Sequence, residues 1–224
     1  MQFWERRVVM SNLMELETVS LYKLFLQMQD GLIQVPIFQR QYAWQEHHIL
    51  DLFVSISEGF PIGVIILAND NNNYPLKNIN ESFFPKPNKT KSNYYRHYLV
   101  IDGVQRLSTL YNCFNGKNEK FNVWYDLMAD RFSMGRQPSD TSVLLSSLFD
   151  QKEYFNTIQR IGSVNSDLLH VLDNFYYKIK DFTLPIYKIN DIDNAKLSSL
   201  FEVINVSGAR LTEEDLELAK KYSK

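Results

Sequence analysis

Leu21, Leu24, Phe25 and Met28 fall at i, i+3, i+4 and i+7, so "TVSLYKLFLQMQDG" predicts an amphipathic helix closed by Gly31. The spacing recurs at Ile49, Leu52, Phe53 and Ile56 in "EHHILDLFVSISEG", which stops at Gly59, and at Leu107, Leu110, Tyr111 and Phe114 before Gly116. A short strand is expected around Ile33; Pro36 then ends regular pairing because it lacks an amide hydrogen, which makes "PIFQRQYAW" a connecting segment. "GVIILAND", "KFNVWYDL" and "FTLPIYKIN" are apolar runs of strand length. Helical segments are expected over 139–180 ("TSVLLSSLFD", "KEYFNTIQRIG", "SDLLHVLDNFYYKIKDF"). Two helices close the chain: "NAKLSSLFEVIN", with Leu197, Leu200, Phe201 and Ile204 in register, and "TEEDLELAKKYS", with a Thr212/Asp215 capping box. Strands separated by helical or irregular segments predict an α+β fold: a small mixed β-sheet with packed helices and a helical insertion, in a single domain spanning 1–224.

Residues 69–97 differ in kind. Asparagines, three prolines (Pro75, Pro85, Pro87) and interleaved Tyr and Phe fill them, with Lys77, Lys86, Lys89, Lys91 and Arg96 against Asp70 and Glu81. A long loop or insertion is expected there, and loops of that length are usually functional or disordered. Elsewhere composition is that of an ordinary globular protein, 45% hydrophobic with 15 phenylalanines and 13 tyrosines. The formal net charge of −2 carries no footprint of a dedicated nucleic-acid-binding domain, so any DNA contact must be local. Cys113, the only cysteine, sits on an apolar helix and is read as a buried thiol; it can form no intrachain disulfide or cysteine zinc site, which suits a reducing compartment. No signal peptide and no stretch of eighteen apolar residues is visible, so the expectation is a cytoplasmic protein with no membrane partner.

Chemistry concentrates at one strand-to-helix corner, "IDGVQRLSTLY", where Asp102, Gly103, Gln105 and Arg106 interrupt an apolar pattern. Gly103 permits a sharp turn. The helix opening after it directs free amide hydrogens and the positive end of its dipole outward, an anion site in outline. Arg106 adds a planar fork suited to phosphate, Asp102 could hold a cation or orient a water, and Ser108 and Thr109 add hydroxyls. A buried Asp–Arg pair that staples strand to helix explains the same residues. A second cluster of like kind, Gln39, Arg40, Tyr42 and Trp44 in "PIFQRQYAW", lies outside any apolar periodicity, so its polar members have no obvious packing duty; here too Tyr42 and Trp44 could simply cap a core that Arg40 covers.

"VPIFQRQYAW", "IDGVQRLSTLY" and "LFEVINVSGARLTEEDLELA", in this order, resemble the N-terminal domain of GmrSD-type restriction endonucleases, from about residue 16 to the end. The resemblance implies a ParB/sulfiredoxin-like fold whose strand–turn–helix corner binds nucleotide phosphates. It further implies binding or hydrolysis of a nucleoside triphosphate with Mg²⁺, coupled to restriction of foreign or modified phage DNA. The family's Asp-Gly-Gln-Gln-Arg motif falls on Asp102 to Arg106, with Asp102 and Arg106 as catalytic residues and Val104 in place of one glutamine. That exchange deletes a donor and an acceptor, so binding through Gln105 and Arg106 is expected to outlast hydrolysis. By the same resemblance Gln39, Arg40, Tyr42, Trp44, Gly103, Gln105, Ser108, Thr109 and Asn205 bind the nucleotide, with Gly208 and Asp215 shaping the far wall.

The scattered His47, His48, His97 and His170 offer no metal-binding spacing, and the HNH-type site of the family's nuclease half has no counterpart here. DNA cleavage by this chain alone is not expected; a nuclease domain or subunit would come from a longer chain or in trans. The competing reading is a non-enzymatic DNA-binding module in which Lys86, Lys89, Lys91 and Arg96 neutralise phosphates and Tyr94 or Tyr95 stacks on bases. A third is a protein-interaction subunit using the apolar faces of 139–180.

Overall fold

The computed structural model describes residues 14–70, 74–78, 83–86, 97–190, 192 and 194–206. Their elements run β1 (Met14–Ser20), α1 (Leu21–Gln29), β2 (Ile33–Gln34), α2 (Glu46–Ser57), β3 (Ile65–Asp70), β4 (His97–Asp102), α3 (Val104–Asn115), β5 (Val123–Asp126), β6 (Arg131–Met134), β7 (Ser142–Leu144), α4 (Gln151–Val164), α5 (Leu168–Lys180), β8 (Thr183–Ile189) and α6 (Asn194–Val206). The fold is α+β, as the strand and helix pattern implies. The chain divides into two compact units, Met1–Ala43 with Gly63–Gln105 and Thr183–Lys224, and Trp44–Ile62 with Arg106–Phe182.

The first unit is built on a five-stranded mixed sheet in the order β1-β8-β3-β4-β2. β1/β8 and β3/β4 are antiparallel, β8/β3 and β4/β2 parallel. Leu99, Val100 and Ile101 of β4 are all fully buried, as expected of a strand whose two faces are both covered. α6 packs on β4, where Leu197 and Phe201 join Phe38, Ala68, Tyr74, Leu99 and Ile101 in one apolar cluster.

The second unit carries a three-stranded antiparallel sheet, β6-β5-β7, with α2, α4, α5 and most of α3. Aromatic rings hold it together. Phe114 meets Phe53 edge-on at 5.7 Å and Phe149 at 4.6 Å, while Tyr125 stacks on Phe175 at 4.1 Å. Cys113 is buried, and burial pushes its thiol pKa far up, in agreement with an inert core residue. Asp126 is buried at the end of β5, where its carboxylate accepts bonds from the Met128 and Ala129 amides, both at 3.0 Å, and from the Ser139 (2.6 Å), Thr141 (2.8 Å) and Ser142 (3.3 Å) hydroxyls. Burial alone would raise its pKa; the bonds from Ser139, Ala129, Thr141 and Met128 outweigh it and hold the group well below the usual carboxylate range.

Three local expectations need correction. The first helix begins at Leu21, with Thr18 and Val19 in β1 and the Ser20 hydroxyl accepting the Lys23 amide as N-cap. β1 left little apolar pattern to read, because it is a largely exposed strand, paired with β8 at the edge of the sheet among the described residues. "TSVLLSSLFD" is β7 followed by a 3₁₀ turn over Leu145–Phe149; its apolar run is too short for periodicity to separate strand from helix. The four-residue β6, half-buried beyond Arg131, was not expected at all.

Candidate functional site

The corner forms where β4 ends. Gly103 has φ 98°, a left-handed backbone that a side chain would strain, and α3 starts at the next residue. The register between β3 and β4 shifts just before it: Ile66 pairs with Asp102 and Leu67 with Val100, leaving Ile101 as the extra residue. Such a bulge re-aims the groups around it. On the other side β2 stops at Gln34, opposite Leu99, so among the described residues no strand pairs there with the last residues of β4.

Gln39 fills that place. Its side-chain amide donates to the carbonyls of Val100 at 2.8 Å and Ile101 at 2.9 Å, and the residue is buried. Phe38 beside it anchors the connecting segment in the core, 4.4 Å from Phe201 and 5.4 Å from Tyr74. Gln105, buried in the first turn of α3, grips the same segment further on: its Oε1 accepts the Ala43 amide at 2.8 Å and its Nε2 donates to the Gln41 carbonyl at 3.1 Å. Gln39 therefore does have a packing duty, contrary to the expectation from "PIFQRQYAW", and Gln105 shares it: the two sew an extended segment to the strand end and helix start.

What remains on the outer side is chemically distinct. Arg40 is exposed, Asp102 half-buried, and Tyr42 half-buried with its ring 5.3 Å from Phe83 at 74°. In the second unit, half-buried Arg106 donates from Nη1 to the Ile62 carbonyl at 2.7 Å, and Trp44 stacks on His48 at 5.9 Å. Ser108 and Thr109 have no exposed surface, and Val104 is buried too. Asn205 lies within α6, and Lys86 is exposed. Lys89, Lys91, Tyr94, Arg96, Gly208, Thr212 and Asp215 lie outside the described residues. Phe83 was not singled out in the sequence, although it belongs to the aromatic-rich stretch 69–97; its left-handed φ of 53° is rare for a bulky residue and is the structural signal for it.

The model of the GmrSD restriction endonuclease N-terminal domain matches residues 21–221. The chain belongs to this family. No curated protein matches it. The GmrSD match takes in both compact units and makes the chain a component of a restriction system. Among the described residues no group of three or more His, Cys, Asp or Glu side chains could hold a metal by itself, and no helix is long and apolar enough to cross a membrane.

The stitching role of Gln39 has a measurable consequence. Gln39→Leu keeps the volume but leaves the Val100 and Ile101 carbonyls without that donor, and should lower stability by about 1–3 kcal/mol. Arg40→Ala, at an exposed neighbour, should change it by less than about 0.5 kcal/mol. Chemical denaturation of the two variants side by side checks the contrast.

Proposed function

We propose that this GmrSD N-terminal domain is the nucleotide-binding sensor of a bacterial restriction system directed at foreign or modified DNA. The corner Asp102–Arg106 takes the phosphates of a nucleoside triphosphate. The observation that carries this reading is the direct succession of β4, a left-handed Gly103 and α3, sewn in place by Gln39 and Gln105. The first amides of α3 have no acceptor within the helix, and a preformed array of such donors at the positive end of a helix dipole favours an anion. Arg106, in the first turn, adds a fixed charge. A ParB/sulfiredoxin-like arrangement is in keeping with the mixed sheet and the corner at the end of one of its strands.

Mg²⁺ is commonly held by one or two carboxylates plus the phosphates themselves, and in this reading Asp102 is the carboxylate that would hold it. When bound, the ion supplies charge neutralisation to the phosphates. Gln39 and Gln105 keep the corner's shape, Arg106 counters phosphate charge, and Val104 packs inward, so the aliphatic substitution is absorbed by the interior. Binding is thus the core of the proposal and hydrolysis its stricter form.

The test is thermal unfolding of wild type and Arg106→Ala with each common nucleoside triphosphate and Mg²⁺, alongside phosphate release. A ligand at one hundred times its Kd adds about 2.7 kcal/mol, enough to raise Tm by several degrees. The expected result is such a rise in wild type and its loss in Arg106→Ala. No rise with any nucleotide at millimolar concentration overturns the proposal.

A further inference from the structure

The N-terminus of α2 is closed by a histidine. His48, the third residue of the helix, accepts the backbone amide of Gln45 on Nδ1 at 3.2 Å, as one half of a capping box. Glu or Gln ordinarily fills that position, and its oxygen accepts throughout the neutral range. An imidazole nitrogen accepts only while it carries no proton, so the bond fixes His48 as the neutral ring with its hydrogen on Nε2. His97 has the opposite arrangement. Its Nδ1 lies 2.8 Å from the Gly31 carbonyl and donates to it, which it can do in either charge state.

The neighbours of His48 work against a proton on it. The His47 ring lies 3.9 Å away, and both imidazoles stand in the first turn, at the positive end of the helix dipole. Glu46 in the same turn and Asp51 in the next are the acids of α2 close to them in sequence. β6, α3 and α5 pack against α2. Their groups that are charged or ionise below pH 9 are Arg131, Arg106, His170, Asp173, Lys178 and Lys180. Lys178 meets the helix at its far end, donating to the Ser57 carbonyl at 3.2 Å, and Arg106 donates to the Ile62 carbonyl. Trp44 stacks on His48 at 5.9 Å and 18°, a contact that an indole face makes with a neutral or a cationic ring. The bond from Gln45, and not the stack, is therefore the element that a proton breaks.

We infer that the start of α2 is a pH-operated latch: neutral His48 holds the Gln45 amide and closes the first turn, and protonation of His48 releases it. Histidine is the side chain whose charge ordinarily changes between pH 5 and 8. Across that interval Asp126 keeps its charge, which separates the two effects. The latch stands independently of the nucleotide reading.

The experiment is NMR on the full chain, reading the ring nitrogens of the four histidines and the exchange of the Gln45 amide at pH 8 and pH 5. Wild type is compared with His48→Gln, His48→Ala and His47→Ala. At pH 8 His48 should show an unprotonated Nδ1 and His97 a protonated one. Protection of the Gln45 amide, corrected for the intrinsic pH dependence of exchange, should fall about fivefold at pH 5 in wild type, the effect of losing one N-terminal cap. His48→Gln should keep Gln45 protected at both pH values, because its oxygen still accepts. His48→Ala should leave it unprotected at both, and His47→Ala should retain the fall. A proton on Nδ1 of His48 at pH 8, or equal protection at the two pH values in wild type, overturns the latch. So does a fall of the same size in His48→Gln, which would assign it to another group.

Discussion

Phe38→Ala should lower the stability of the first unit by about 3–5 kcal/mol, the range for removing a fully buried ring from a close-packed core. Phe38 is 1% exposed and lies between Phe201 and Tyr74 in the cluster shared by β4 and α6. The rings, Leu99, Ile101 and Leu197 around it come from three separate parts of the chain, so no single local shift can fill the cavity. Phe38→Leu keeps most of the volume and should lose roughly half as much. The residue also anchors the segment that Gln39 fastens to β4, so Phe38→Ala should weaken any nucleotide-induced rise in Tm along with the fold, a coupling that an isolated packing defect would not produce. Denaturation midpoints and ligand shifts on both variants check this; a loss under about 1 kcal/mol would mean that the cluster repacks around the gap.

The second large effect falls on Asp126. Asp126→Ala removes the acceptor for two amides and three hydroxyls in a buried place, and should cost on the order of 3 kcal/mol at pH 7. Asp126→Asn retains one acceptor oxygen and should lose less. Because the folded-state pKa is depressed, the charge contributes stability above the ordinary carboxylate value of about 4 and loses it as pH falls below that toward the folded value. The stability gap between wild type and Asp126→Asn should therefore be widest near neutrality and shrink in acid. Urea denaturation at several pH values from 7 down to 3 reads it directly, and a gap that stays constant would remove the linkage.

Much of this was legible in the sequence. Helices α1, α2 and α3 and the buried strands announced themselves because their apolar spacing reports which face is covered, and Gly31, Gly59 and Gly116 mark the helix ends with positive φ. The corner at Gly103 was visible as polar residues breaking an apolar run. What stayed hidden was the partner of each amide. Gln39 and Gln105 read as ligand-facing because nothing local occupies them, yet their bonds reach residues more than sixty positions away. Phe83 was hidden for a similar reason: a contact with Tyr42 and a strained φ are properties of the folded chain. Asp126 looked like any acid at a strand end until its hydroxyl donors, contributed from 139–142, closed around it.

The position of β8 has a further consequence, for biosynthesis. β8 sits between β1 and β3, although β1 leaves the ribosome first and β8 comes more than half the chain later. At about 5–20 residues per second, β1 waits roughly 10–30 s for β8, its neighbour in the sheet, and β3 waits as long for its pairing with β8 to begin. Open strand edges invite pairing with other nascent chains. Solubility on overexpression should accordingly depend on growth temperature and translation speed, and a fragment stopped before Thr183 should aggregate, since it lacks the strand that joins β1 to β3.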